Sequence, residues 1–419
     1  MSSISGQDWF SKPGLKRIFA LLNADGGEAR VVGGAVRNAL MGMPVGDIDI
    51  ATTLPPQDVV ERAKEAGIKA VPTGIDHGTV TLVVDGEGYE VTTLRRDVET
   101  DGRHAQVAFG TDWQEDAERR DLTINALYAD ASGAVIDLIG GMPDIEARMV
   151  RFIGDADRRI AEDYLRVLRF FRFFAHYGSG RPDADGLRAS ARAKDKISTL
   201  SAERVWSELK KLLAAEDPSR ALLWMRQSGV LAQVLPETEK WGIDSIHGLV
   251  AAEQALGWTP DPIMRLAAIV PTDLERVIAM ASRLRMSNSE AKRLKQWASA
   301  PVIDLAMADA AFDRLLYRQG VDGIKMRLKL ALAAARADVS AGEAMQKIAR
   351  YSTLLSRAEK FQRPEFPISG ADVIASGIAP GPKVGEILGV LEEKWIDVNF
   401  SLDRAALTAR LQDIVKNQA

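Results

Sequence analysis

The first ~150 residues alternate short apolar runs with amphipathic segments, whereas the rest of the chain keeps almost only the three-to-four-residue apolar spacing of helices. "RVVGGAVRNALMG" predicts a strand ending at Val32, a Gly33-Gly34 turn and a short helix stopped by Gly42. "VGDIDIA" (45–51) alternates Asp47 and Asp49 with Ile48 and Ile50, the period of a half-buried strand. "DVVERAKEAG" predicts a helix closed by Gly67. Residues 79–84 and 89–94 predict a hairpin turning through Asp85-Gly86-Glu87-Gly88, and "TINALYADASGAVIDLIGG" predicts a helix and a further hairpin. After Arg151 the strand signals almost vanish. "DRRIAEDYLRVLRFFRFFAHYG" predicts one strongly periodic helix with Leu165, Leu168, Phe171 and Phe174 near one face, and helices continue to "LTARLQDIV". The expected fold class is α+β: a mixed-sheet head over 1–150, an all-helical neck and body over 151–240, and a helical body and tail over 241–419. Pro-rich punctuation at "FQRPEFPISG" and "APGPKVG" sets off the last helical piece.

Composition narrows the chemistry. The chain has no cysteine, which excludes disulfides, thiolate catalysis and cysteine-bound zinc. His77, His104, His176 and His247 stand alone, so any metal must be hard and bound by oxygen, in practice Mg²⁺. The N-terminal stretch "MSSISGQDWFSKPGLKRIFALL" lacks an apolar signal core, and no long uncharged apolar run follows. We therefore expect a cytoplasmic protein with no membrane partner. A net charge of −4 argues against indiscriminate nucleic-acid coating. Between Arg148 and Lys211, however, 15 Lys/Arg face 9 Asp/Glu, a local excess that could hold a phosphate backbone.

A D-x-D pair decides little alone, because Asp155/Asp157 and Asp183/Asp185 share the spacing. What surrounds Asp47 and Asp49 separates them. Alternate strand residues share a face with Cα atoms roughly 6.5–7 Å apart, close enough for two carboxylates to bridge metals ~4 Å apart in phosphoryl or nucleotidyl transfer. Just upstream, the Gly33-Gly34 turn opens a helix whose free N–H groups suit a triphosphate, with Arg37 in its first turn.

Together these stretches resemble class II tRNA nucleotidyltransferases, the CCA-adding enzymes, and their poly(A) polymerase relatives. The resemblance runs through "VVGGAVRNALMGMPVGDIDIATTLPP", "YEVTTLRRDVETDGRHAQVAFGTDWQEDAERRDLTINALYAD", "GAVIDLIGGMPDIEARMVRFIGDADRRIAEDYLRVLRFFRF" and "GVLAQVLPE", covering roughly 30–240. Asn38 departs from it, the family usually having aspartate after the arginine. The resemblance implies a polymerase-β-like nucleotidyltransferase head and addition of C, C and A to a tRNA 3′ end from CTP and ATP, with loss of pyrophosphate. It also implies Mg²⁺ on Asp47 and Asp49, triphosphate contacts from Gly34 and Arg37, a nucleotide-contacting Arg120, and Asp121 supporting the ribose. Glu90 is a candidate third carboxylate. DNA is not an expected partner. A poly(A) polymerase, or an enzyme adding only CC or only A, remains the alternative.

The resemblance places base choice in "EDYLRVLRFFR", where an intrahelical salt bridge is the alternative the residues alone leave open. Asp163, Arg166, Arg169 and Arg172 recur every three residues; at ~100° per residue they sweep ~180°, so they cannot all meet one small group. Asp163 and Arg166, as i,i+3 neighbours, can present one edge. The aspartate accepts from an exocyclic amine, and the arginine donates to a ring acceptor. Cytosine and adenine carry that pattern; uracil and guanine invert it. The resemblance gives Arg169 and Arg172 the tasks of orienting the site and binding phosphates. "DVETDGRHA" (97–105) is expected to be a loop that helps switch from C to A.

Overall fold

The computed structural model describes residues 2–75, 78–97, 107–239, 242–338 and 343–416. It divides into two compact units, Met1–Pro236 and Glu237–Ala419. Unit 1 is built on a seven-stranded sheet of order β3-β4-β5-β2-β1-β8-β9. Its strands are β1 (Ala29–Val32), β2 (Asp49–Thr52), β3 (Lys69–Gly74), β4 (Thr79–Val84), β5 (Glu87–Thr93), β8 (Leu127–Ala129) and β9 (Val135–Asp137). A separate ribbon pairs β6 (Arg95–Asp97) with β7 (Val107–Phe109). Only β2 and β5 run parallel; every other pair in the large sheet is antiparallel.

Alternation gives this sheet two faces. Ile50, Val80, Leu82 and Val91 are almost fully buried, on the side covered by α1 (Pro13–Leu22) and α3 (Pro56–Glu65). Asp49, Glu90 and Thr92 project the other way, into a cavity. α2 (Gly34–Leu40) follows β1 directly, through Gly33 at φ 69°, ψ −115°. That positive-φ backbone conformation is one only glycine adopts readily.

Several expectations need correction. "VGDIDIA" enters the ladder only at Asp49; Asp47 precedes it in irregular chain, although Ile48 and Ile50 are both buried as the alternation requires. The hairpin turn is two residues rather than four: Val84 pairs with Glu87, and Asp85 and Gly86 both have positive φ, the backbone that matches strand twist. The helix expected in "TINAL" is a single 3-10 turn, Thr123–Asn125. Strands β3, β6 and β7 carried no recognised strand signal; β3 is an edge strand without clean alternation.

Helices α4 (Trp113–Glu118) and α5 (Met142–Glu146) complete the sheet region, and no strand follows β9 among the described residues. The periodic stretch after Asp155 is two helices, α6 (Ala156–Glu162) and α7 (Leu165–Tyr177). The chain breaks at Asp163, which is extended (φ −155°, ψ 107°), and whose carboxylate accepts from the Leu165 N–H at the start of α7. Apolar periodicity crosses this break unchanged, because Ile160, Leu165, Leu168 and Phe171 are all buried. α8 (Ala184–Ala193) and α9 (Ala202–Leu213) follow, with α9 packed on α7. Among its described residues the regular elements of unit 2 are all helices, including Ser245–Leu256 and Pro262–Ile269. These two helices are joined by a buried ion pair, Arg265–Glu253 at 2.7 Å, with both side chains at most 2% exposed.

Candidate active site

A cavity of ≈ 920 Å³ opens over the polar face of the sheet and is closed on its other side by α7 and α9. That volume lies within the range of small-molecule sites. Gly34, Arg37, Asp47, Asp49, Arg120, Asp163, Arg166, Arg169 and Arg172 all line it. These sequence-derived candidates, from four separate stretches of chain, thus line one cavity. Its lining carries nine Lys/Arg against six Asp/Glu, a balance suited to an anion.

The acidic end is built by the sheet. Asp49 is the register partner of Glu90 across the parallel β2–β5 pair and of Val32 in β1, so it sits beside the Gly33-Gly34 turn. Burial raises the Asp49 pKa above the usual carboxylate range, and the neighbouring Glu90 and Asp47 charges raise it further. No N–H or O–H donor reaches Asp47, Asp49 or Glu90 among the described residues. Uncompensated carboxylates of this kind fit a hard divalent cation. Among the described residues, no three acidic or imidazole side chains group closely enough to hold a metal ion by themselves. The other two D-x-D pairs have a different purpose: Asp155 and Asp183 are the N-caps of α6 and α8.

Most of the arginines on the basic side are set by carboxylate partners. Arg120 donates to Asp116 at 2.9 Å and to the Tyr128 hydroxyl at 3.1 Å. Burial lowers its pKa, but Asp116 and Tyr128 outweigh that and leave it raised. Arg169 meets Asp121, and Arg172 meets Glu208, both at 2.6 Å. Arg204 meets Asp163 at 2.7 Å. Arg37 differs. Buried at 6% exposure, it donates to Asn38 (2.9 Å), to the Tyr177 hydroxyl (2.7 Å) and to Asn125. All three acceptors are neutral. Its charge therefore stays available to a ligand anion, a stronger reason for phosphate binding than the dipole of α2, a helix of only seven residues.

Asp163 and Arg166 do not pair with each other. Arg166 donates through Nη1 to Glu162 and to the Arg159 carbonyl, which leaves its Nε and Nη2 without partners among the described residues. Each Asp163 oxygen takes one donor, Leu165 N–H or Arg204, so each keeps a lone pair. The acceptor and donor needed for a base edge are present, held by separate partners rather than by one helix face. Asp121 is more heavily engaged. Its Oδ1 accepts from Leu122 N–H and the Asn125 amide, and its Oδ2 accepts from Arg169 Nε, with Arg169 Nη2 in ion-pair contact. Its contact with Arg169 gives Asp121 a positioning task beside the ribose support the resemblance implied.

Sequence reasoning missed Asp116, Glu162, Arg204 and Glu208. A signal existed for two of them: Arg204 and Glu208 are i,i+4 on the helix that packs against the arginine-bearing α7. Residues 98–105 of the expected switching loop (97–105) lie outside the described residues.

Comparison with known proteins agrees with this geometry. Residues 29–151 match the poly A polymerase head domain, and 183–241 match the probable RNA and SrmB-binding site of polymerase A. The human mitochondrial CCA tRNA nucleotidyltransferase 1 is 33% identical over 95% of this chain and 90% of its own. A CCA-adding enzyme of Latilactobacillus sakei is 31% identical over 90% of this chain and 92% of its own. The Bacillus stearothermophilus CCA-adding enzyme in complex with CTP superposes with a TM-score of 0.67 at 26% identity, covering 97% of this chain and 99% of that one.

Proposed function

This chain belongs to the class II CCA-adding nucleotidyltransferase family, and from that premise we propose that it adds C, C and A to the 3′ end of tRNA, using CTP and ATP and releasing pyrophosphate. The carrying observation is the single cavity that joins the Asp47/Asp49 carboxylates, the uncompensated Arg37 and the free edges of Asp163 and Arg166. Arg37 holds the triphosphate, with Arg120 beside it fixed by Asp116. Asp163 accepts the exocyclic amine of cytosine or adenine, and Arg166 donates to the neighbouring ring acceptor, so selection needs no nucleic-acid template. The sugar 3′-oxygen of the tRNA approaches the α-phosphate over the sheet face that presents Asp49 and Glu90. Asp47 and Asp49 would hold divalent metal, Mg²⁺ by the oxygen-only donor set; when bound, it supplies activation of the hydroxyl and neutralisation of leaving-group charge.

We assign the catalytic head to 1–150, base recognition to the helical 151–240, and tRNA binding to the helical 241–419, with the basic 148–211 segment aiding backbone contact. The cytoplasm is the compartment we propose. A poly(A) polymerase is the second reading, favoured by the head-domain match. Incubating the protein with tRNA lacking its CCA end, with each nucleotide separately and together, and sequencing the products separates them. CCA supports the proposal; long A tracts, or C without A, replace it with the polymerase or with a partial enzyme.

A further inference from the structure

The arrangement around Arg37 carries one step more. Three guanidiniums gather on one ring: those of Arg37, Arg169 and Arg172 lie 5.2, 5.4 and 4.3 Å from the Phe173 centroid. Phe173 is 6% exposed and lines the cavity. One turn further along α7, the Tyr177 ring lies 3.9 Å from the same Arg37 guanidinium, and its hydroxyl accepts from Arg37 Nη2. Like charges crowded this way repel. Arg169 and Arg172 are relieved by Asp121 and Glu208, but a carboxylate beside Arg37 would cancel the charge that the ligand needs. Aromatic faces and neutral oxygens hold a cation without cancelling it.

We propose that Phe173 and Tyr177 form an aromatic platform that positions the guanidiniums for the triphosphate of every incoming nucleotide. The proposal rests on the nucleotidyltransferase reading and adds to it a base-independent element on the same helix that carries base-reading Arg166. Neither residue is given a role in the chemical step. Tyr177 is not among the cavity-lining residues and acts only through Arg37. The i,i+4 spacing of Phe173 and Tyr177 places both rings on one face of α7, so the phosphate end of the site is fixed to the element that presents the base edge.

The test uses the full chain, Mg²⁺, inorganic tripolyphosphate as a base-free probe, and CTP and ATP with tRNA. Tyr177→Phe keeps the ring and removes the hydroxyl; Phe173→Leu keeps bulk and removes the π-face. We expect tripolyphosphate, CTP and ATP to weaken by a common factor, about fivefold for Tyr177→Phe and about tenfold for Phe173→Leu. The loss should fall on KM with kcat within about twofold, the signature of uniform binding, and the CTP-to-ATP ratio of kcat/KM should hold. Unchanged tripolyphosphate binding in Tyr177→Phe, or a loss confined to one base, overturns the platform. Tyr177→Phe is conservative enough to decide the matter if Phe173→Leu does not fold. Wild-type protein that ignores tripolyphosphate and leaves tRNA unextended overturns the nucleotide reading beneath it as well.

Discussion

Replacing Asp121 with asparagine tests whether this carboxylate positions the site or touches the sugar. The side chain is 9% exposed and takes both Nε and Nη2 of Arg169 at 2.6 Å. Breaking a fully buried pair costs ~3–5 kcal/mol. The Arg169 side chain is 32% exposed, so water recovers part of that, and we expect a loss of about 2–3 kcal/mol in urea denaturation at pH 7. The pH dependence has a definite sign. Burial alone would raise the Asp121 pKa, but Arg169 and the Asn125 amide outweigh it and hold the carboxyl low. Its stabilisation is therefore complete above the unfolded aspartate value of ~3.9 and is lost as pH falls through the lower folded one. The gap between wild type and Asp121→Asn should close in strong acid. A residue that only positions should leave the preference for CTP over dCTP within about twofold of wild type. A collapse of that preference with unchanged stability would refute the reasoning and leave Asp121 with the ribose alone.

Three further outcomes follow from the same geometry. Asp49→Asn should lower kcat by ~10³-fold or more. It should also stabilise the fold at neutral pH, because a carboxyl with a raised folded pKa costs stability once pH passes its unfolded value; a melting temperature below wild type would contradict this. Glu90→Gln removes the neighbouring charge that raises Asp49, so the acid limb of the pH–rate profile should move to lower pH, and a shift the other way would be decisive against it. In unit 2, Glu253→Ala removes the carboxylate that buried Arg265 meets at 2.7 Å; we expect ~3–5 kcal/mol of destabilisation by chemical denaturation, and an effect below ~1 kcal/mol would contradict this.

Much of this site is legible in the chain because its parts are local. Alternation put Ile48 and Ile50 inside and Asp47 and Asp49 outside, and that survives even though Asp47 lies outside the ladder. The Gly33 turn is likewise local, since its positive-φ backbone conformation is one only glycine adopts readily. The break between α6 and α7 escaped the apolar pattern because the buried stripe continues across it. What cleared Asp155/Asp157 and Asp183/Asp185 was likewise structural: each begins at a helix N-cap.

The sequence by itself determined which residues carry charge and most of the elements that present them. Only the tertiary structure decided which charges remain free. Arg37, Arg120, Arg169 and Arg172 are alike as letters, and three of them are matched by Asp116, Asp121 and Glu208. Arg37 meets Asn38, Asn125 and Tyr177, two of them 88 and 140 residues away. A cation's usefulness to a ligand depends on what else lies within a few ångströms of it, and for these long-range partners only the folded chain fixes that distance.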